Sequence, residues 1–196
     1  APAWPARASA PADGYILFFG TLEPRKNVGA LLDAYEALLS GPRVPDLVLA
    51  GAPTGHAQAW LARIARAPLA GRVRHVGYVE PDHRRTLYEG ATLLVQPSFE
   101  EGFGITVLEA MTVGVPVVAA SRGALPEVLG GAGLLVDPED RAQLSAAIRT
   151  LLDDPQRASA CAAMGVARAR QYSWSDTAGR VYDAYRLAME RRCASA

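Results

Sequence analysis

The stretch Thr92-Leu93-Leu94-Val95-Gln96-Pro97-Ser98-Phe99-Glu100-Glu101-Gly102-Phe103-Gly104-Ile105-Thr106-Val107-Leu108-Glu109-Ala110-Met111 decides how this chain is read. Its first five residues form a short apolar run, which predicts a buried strand. The glycines at 102 and 104 let a backbone approach a ligand closely. The helix they introduce offers unsatisfied N–H groups at Gly104, Ile105 and Thr106, an arrangement suited to an anion. That helix, expected over Ile105 to Val113, is apolar almost all round yet carries Glu109 in its second turn. A buried carboxylate without partners costs several kcal/mol, so Glu109 requires donors. The vicinal hydroxyls of a ribose would supply two; a backbone amide or a core arginine is the alternative. Glu101 stands just before the glycines, with Glu100 beside it as a competitor for the inward position.

Strand, loop and helix recur on both sides of this stretch. Upstream, YILFFG (Tyr15 to Gly20) precedes Val28, Leu31, Leu32, Tyr35, Leu38 and Leu39 at helical spacing. DLVLAG (Asp46 to Gly51) precedes a helix expected around Ala57 to Ala67, and VRHVG (Val73 to Gly77) one around Pro81 to Gly90. Downstream, PVVAA (Pro116 to Ala120) leads to a helix near Leu125 to Leu129. GLLVD (Gly133 to Asp137) leads to an amphipathic helix from about Asp140, with Leu144, Ile148, Leu151 and Leu152 apolar. Two more helices, near Pro155 to Gln171 and Trp174 to Arg192, complete the pattern. The alternation implies an α/β fold: a single Rossmann-like, doubly wound parallel sheet of about six strands with helices on both faces. The start, APAWPARASAPA, is rich in Ala and Pro without periodicity, so residues 1–13 read as a linker or hinge edge and 14–196 as one domain.

A doubly wound sheet binds ligands at the carboxyl ends of its strands where the strand order reverses. The loop after the first strand, Gly20-Thr21-Leu22-Glu23-Pro24-Arg25-Lys26-Asn27, places two cations just before a helix N-terminus, a setting that suits a phosphate. Solvated loop cations are the plain alternative. A dinucleotide-binding domain would carry G-x-G-x-x-G here, and only Gly20 and Gly29 are present.

The bulk composition sets outer limits. With 20 basic and 20 acidic residues among 196, no broad positive field exists to hold a nucleic acid. Cys161 and Cys193 lie in helical sequence in a chain large enough to need no staple, which fits a reduced, cytosolic setting. No apolar run approaches the roughly 18 to 20 residues that span a bilayer, so any membrane association is expected to be peripheral. His56, His75 and His83 are scattered and none reads as a general base. Trp174 reads as a core anchor. Glu127 is left open between a cap, a salt bridge and a ligand role.

Glu101 and Glu109, separated by GFGITVL, resemble the E-x7-E motif of retaining GT-B glycosyltransferases of family 4, the glycosyl transferases group 1. EGFGITVLEAMTVGVPVVAA extends the likeness through the next strand. GTLEPRKN is similar to the same family's diphosphate-binding loop, and Gly77 to Val79 sits where members hold the nucleobase. The likeness covers about Tyr15 to Tyr185 and implies the C-terminal, donor-binding half of a GT-B fold. It implies a nucleotide-diphospho-sugar as substrate, with no cofactor and no metal. Lys26, with Arg25 beside it, would bind the diphosphate and stabilise charge on the leaving group, and Glu101 would face the donor sugar. Gly20, Thr21, Gly102, Phe103, Gly104, Ile105 and Thr106 would meet sugar and phosphates. Glu109 would bind the ribose and Val79 line the base pocket.

Many members carry an arginine where this chain has Thr21, and Arg25 is its candidate substitute. The first loop resembles the mannosyltransferase branch, which uses GDP-mannose in polysaccharide biosynthesis. An N-terminal acceptor-binding domain is expected as partner, with the last helix packing toward it. A stand-alone nucleotide-binding module without turnover is the alternative.

Overall fold

The computed structural model describes residues 4–7 and 11–194, the last four of these in backbone only. Six strands form one parallel sheet: β1 (Tyr15–Phe19), β2 (Leu47–Ala50), β3 (Val73–Gly77), β4 (Ala91–Gln96), β5 (Val117–Ala120) and β6 (Leu134–Val136). Their spatial order is β3-β2-β1-β4-β5-β6, so the winding reverses between β1 and β4. The helices are α1 (Val28–Leu38), α2 (Gln58–Ile64), α3 (Pro81–Glu89), α4 (Ile105–Val113), α5 (Leu125–Leu129), α6 (Arg141–Asp153), α7 (Pro155–Ala169) and α8 (Trp174–Ala194).

Both faces of the central strands β1, β2, β4 and β5 are covered, which explains why these are apolar without alternation, whereas the edge strand β3 exposes Arg74 and Val76. Ile16 and Phe18 of β1 enter one core with Leu31, Leu32 and Tyr35 of α1 and Leu144 and Ile148 of α6. Leu17 and Phe19 enter the other, with Tyr88 of α3, Leu108 and Met111 of α4 and Leu125 of α5. Each such leucine or methionine, fully buried, stabilises the fold by about 1.5–3 kcal/mol. Helix starts follow local chemistry. Asp140 and Asp154 accept hydrogen bonds from the Gln143 and Arg157 N–H groups (2.8 and 2.9 Å), capping α6 and α7. Gly104 caps α4 at φ 90°, and a Cβ there would lie 2.7 Å from Leu125 Cδ2, so only glycine fits.

Several expectations change. The helix expected to reach Ala67 ends at Ile64, because the chain breaks into turns closed by Arg66 N–H to Arg63 O and Leu69 N–H to Arg66 O (both 3.0 Å). Trp174 is no core anchor. It is 69% exposed, because α8 runs along the outside and leaves Tyr182, Tyr185 and Met189 in solvent as well. Of the expected linker, residues 1–3 and 8–10 lie outside the described residues. Trp4 packs on Tyr88 with ring centroids 6.2 Å apart, and the Arg7 N–H donates to the Val113 carbonyl (2.9 Å). Cys161 is buried and free; the side chain of Cys193 lies outside the described residues. Among the described residues no helix is long and apolar enough to cross a membrane.

Asn27 joins the two loops that flank the winding reversal. It sits in the left-handed region (φ 57°) between the 3-10 turn Pro24–Lys26 and α1. Its buried Nδ2 donates to the carbonyls of Pro97 (3.1 Å) and Pro138 (2.7 Å). Asn27→Ala strands both carbonyls and strains the backbone, an expected loss of about 2–4 kcal/mol by urea unfolding. Asn27→Gly removes the same hydrogen bonds without the strain and should cost less. Equal losses for the two variants would show that the left-handed backbone contributes nothing.

Candidate functional site

The loops leaving β1 and β4 are tied to each other before any side chain is considered. The Phe99 N–H donates to the Arg25 carbonyl (2.8 Å), and the Asn27 amide adds its bond to Pro97. This brings Lys26 and Glu101 into an ion pair through Lys26 Nζ and Glu101 Oε1, with both side chains 9% exposed. The same carboxylate oxygen accepts from Ser98 Oγ (2.9 Å) and Gln96 Nε2 (3.0 Å), and Gln96 Nε2 also lies 3.1 Å from Ser98 Oγ. Burial alone would raise the Glu101 carboxyl. The Lys26 ammonium and the donors from Ser98 and Gln96 outweigh burial and hold it below its ordinary value. Among the described residues the ion-pair partner of Glu101 Oε2 is Arg25, at 3.9 Å.

Arg25 is exposed and turned across the loop. It pairs with Glu23 at 2.6 Å and donates to the Glu100 carbonyl at 3.2 Å. Glu100 points to solvent, so Glu101 is the inward carboxylate of the two. Gly20 leaves room over the Lys26 side chain, where a Cβ would stand 3.5 Å from Lys26 Cε, and Thr21 beside it is exposed. Gly102, Phe103 and Ile105 are exposed, Thr106 is half-buried and Gly104 is buried. Phe103 rests edge-on against Tyr172 (5.8 Å), holding the glycine loop to the junction of α7 and α8.

Glu109 forms a second cluster. It is 8% exposed and accepts from Tyr88 Oη at 2.8 Å, while Arg84 approaches its other oxygen at 4.0 Å. The carboxylate is therefore not solitary: an arginine, which the structural alternative named, and an aromatic hydroxyl, which it did not, both meet it. Burial still raises the Glu109 carboxyl, offset in part by Tyr88 and Arg84, and the Tyr88 hydroxyl is pushed well above its ordinary value. Arg84 also lies over the Phe19 ring (5.8 Å to centroid), and its Nε is buried without a partner among the described residues. Val79, half-buried, packs on the same core as Tyr88.

The structure thus joins Arg25, Lys26 and Glu101 into one group and sets Glu109 in another. Sequence reasoning missed Asn27, Gln96, Ser98, Arg84 and Tyr88. A polar Gln96 closing the apolar run TLLVQ was a readable signal; Arg84 and Tyr88 gave none, because only tertiary packing brings α3 against α4. His75 Nε2 lies 2.9 Å from the Gly51 carbonyl, and His56 and His83 are exposed. Glu127 is exposed in the first turn of α5, with its carbonyl accepting from Arg168 (2.7 Å). Among the described residues no three His, Cys, Asp or Glu side chains cluster to hold a metal ion.

Comparison with known proteins identifies the family and the fold. The chain is 41% identical over 175 residues to the O-antigen chain mannosyltransferase B of Escherichia coli, covering 89% of this chain and 46% of that protein. It is 35% identical over 196 residues to a D-inositol 3-phosphate glycosyltransferase of Thermobispora bispora, covering 94% and 46%. The chain therefore spans about half the length of the curated relatives it matches. Among solved structures, sucrose-phosphate synthase from Thermosynechococcus elongatus superposes with TM-score 0.82 at 27% identity, over 92% of this chain and 46% of that one. Anabaena HepE in complex with UDP gives 0.71 at 29%, over 82% and 45%. The family described as glycosyl transferases group 1 matches residues 13–154, and the chain belongs to that family.

Proposed function

We propose that this chain is the C-terminal, donor-binding half of a retaining family 4 glycosyltransferase, holding a nucleotide-diphospho-sugar at the loops that leave β1 and β4. The observation that carries this reading is the buried Lys26 ammonium at the winding reversal, held by Glu101. A diphosphate entering there offers Lys26 a stronger partner than one shared carboxylate, and Arg25 reaches the same space from the exposed side. When the bond from sugar to phosphate breaks, its electron pair leaves with the nucleoside diphosphate. Preorganised cations lower the cost of that charge more than mobile water can. Glu101 Oε2 is left to accept from a sugar hydroxyl, and Glu109 Oε1, with Arg84 no closer than 4.0 Å, from the ribose.

GDP-mannose is the donor we favour. The O-antigen mannosyltransferase is a relative at 41% identity, although the UDP bound to HepE keeps a uridine donor as the competing outcome of a binding screen. The acceptor then belongs to an N-terminal domain of the same enzyme, and catalysis requires both halves. A free, buried Cys161 fits a reducing cytoplasmic setting. The isolated chain is expected to bind GDP or UDP by calorimetry and to transfer no sugar. Robust transfer without a second domain would overturn the two-domain reading.

Lys26→Ala deprives Glu101 of its counter-ion and carries a stability cost of its own, so Lys26→Gln is the cleaner variant. Its nucleotide affinity should fall by about 1.5–3 kcal/mol, with a smaller loss at high salt. Unchanged affinity would remove the diphosphate from this loop.

Glu109→Gln separates ligand from scaffold. A ribose site should lose roughly 1–3 kcal/mol of nucleotide affinity as a charged acceptor becomes neutral. The folded-state value of Glu109 is raised above the unfolded one, so its ionised form costs stability once pH rises through the folded value. The variant should therefore match the parent's melting temperature in acid and equal or exceed it at neutral pH. A large drop at neutral pH with normal nucleotide affinity would make Glu109 a structural anchor for Tyr88 and Arg84.

A further inference from the structure

The end of β4 carries a polar pair that neither packing nor the donor reading uses. Gln96, the last residue of β4 after the apolar Leu93, Leu94 and Val95, and Ser98, two residues beyond the strand end, are both fully buried, at 0% exposure. Buried polar side chains weaken a core unless their hydrogen bonds are made, and Gln96 Oε1 has no partner among the described residues. The opposite amide orientation would place this oxygen against the Glu101 carboxylate, acceptor against acceptor. The observed orientation leaves one atom unsatisfied and aims the Nε2 donor at Glu101 Oε1 (3.0 Å), beside Ser98 Oγ (2.9 Å).

All three close donors to Glu101, from Lys26, Ser98 and Gln96, fall on Oε1. Lys26 is the donor that a diphosphate would draw away. Ser98 and Gln96 have no such competitor, since they lie beneath the loop and out of solvent.

We infer that Gln96 and Ser98 are positioning residues that lock Glu101 Oε1 to the end of β4, so that Oε2 stays presented to the donor sugar after Lys26 transfers to the diphosphate. This rests on the proposed donor role of Glu101. The lock is built into the strand end itself, so it does not depend on whether the glycine loop is occupied. Against the burial that would raise it, the Glu101 carboxyl is held down mainly by Lys26, and both donors add to that effect.

The test uses the whole 196-residue chain, with Ser98→Ala and, as a shape-preserving second variant, Gln96→Met. Carbon-13 NMR of labelled glutamate carboxyls follows the Glu101 titration, assigned with Glu101→Gln. Each variant should raise the pH at which Glu101 titrates, because a donor to its charged form is lost. In parallel, GDP-mannose and UDP-glucose are each titrated by calorimetry against their own diphosphates. Affinity for the nucleotide sugar should fall about tenfold, with little change for the diphosphate alone. An unchanged Glu101 titration in both variants overturns the positioning role and leaves the donor reading standing. A shifted titration with an unchanged preference for nucleotide sugar over diphosphate overturns the sugar-side role of Glu101, and the inference falls with it.

Discussion

The pairing of Lys26 with Glu101 is the constraint around which the binding face is arranged. It joins the loop after β1 to the loop after β4, the two connections that part where the sheet reverses its winding. A buried ion pair adds little net stability, because desolvation of both charges offsets their attraction. Here the loss is limited by Ser98 and Gln96, which share the carboxylate, and by Asn27 and the Phe99 N–H, which hold the loops together independently. A pair supported in this way is better explained by what it keeps ready than by what it stabilises. On the proposed reading it holds a largely buried cation ready for an anion that binds more strongly than one shared carboxylate.

The sheet makes this economical. Since both faces of β1 and β4 are packed, their ends cannot shift without disturbing two cores at once. Gly104 then starts α4 against Leu125, and that geometry fixes both the glycine loop and the depth of Glu109 one turn later. The two carboxylates of the motif therefore occupy contrasting environments. Glu101 is surrounded by donors and held ionised, while Glu109 is buried among Tyr88, Arg84 and apolar atoms and raised. One fold element thus sets opposite electrostatics eight positions apart along the chain.

The strands, most helices and the winding point were legible because each depends on local pattern: an apolar run, a turn, a helical stripe. The loop cations and the two glutamates were legible from spacing and from the resemblance those spacings carried. What stayed hidden depended on distance in the chain. Tyr88 reaches Glu109 across 21 positions and Asn27 reaches Pro138 across 111, and no periodicity announces either contact. Trp174 misled for a related reason, since a large aromatic at a helix start suggests a core, yet the surface α8 covers is set by its surroundings and not by its own sequence.

The direct test of the account is a crystal structure of this chain soaked with GDP or UDP. Lys26 Nζ should leave Glu101 for a phosphate oxygen, Glu101 should remain bound to Ser98 and Gln96, and the ribose hydroxyls should face Glu109. A nucleotide seated away from the β1 and β4 loops, or one bound there with the Lys26–Glu101 pair intact and no phosphate contact from Lys26, would contradict it.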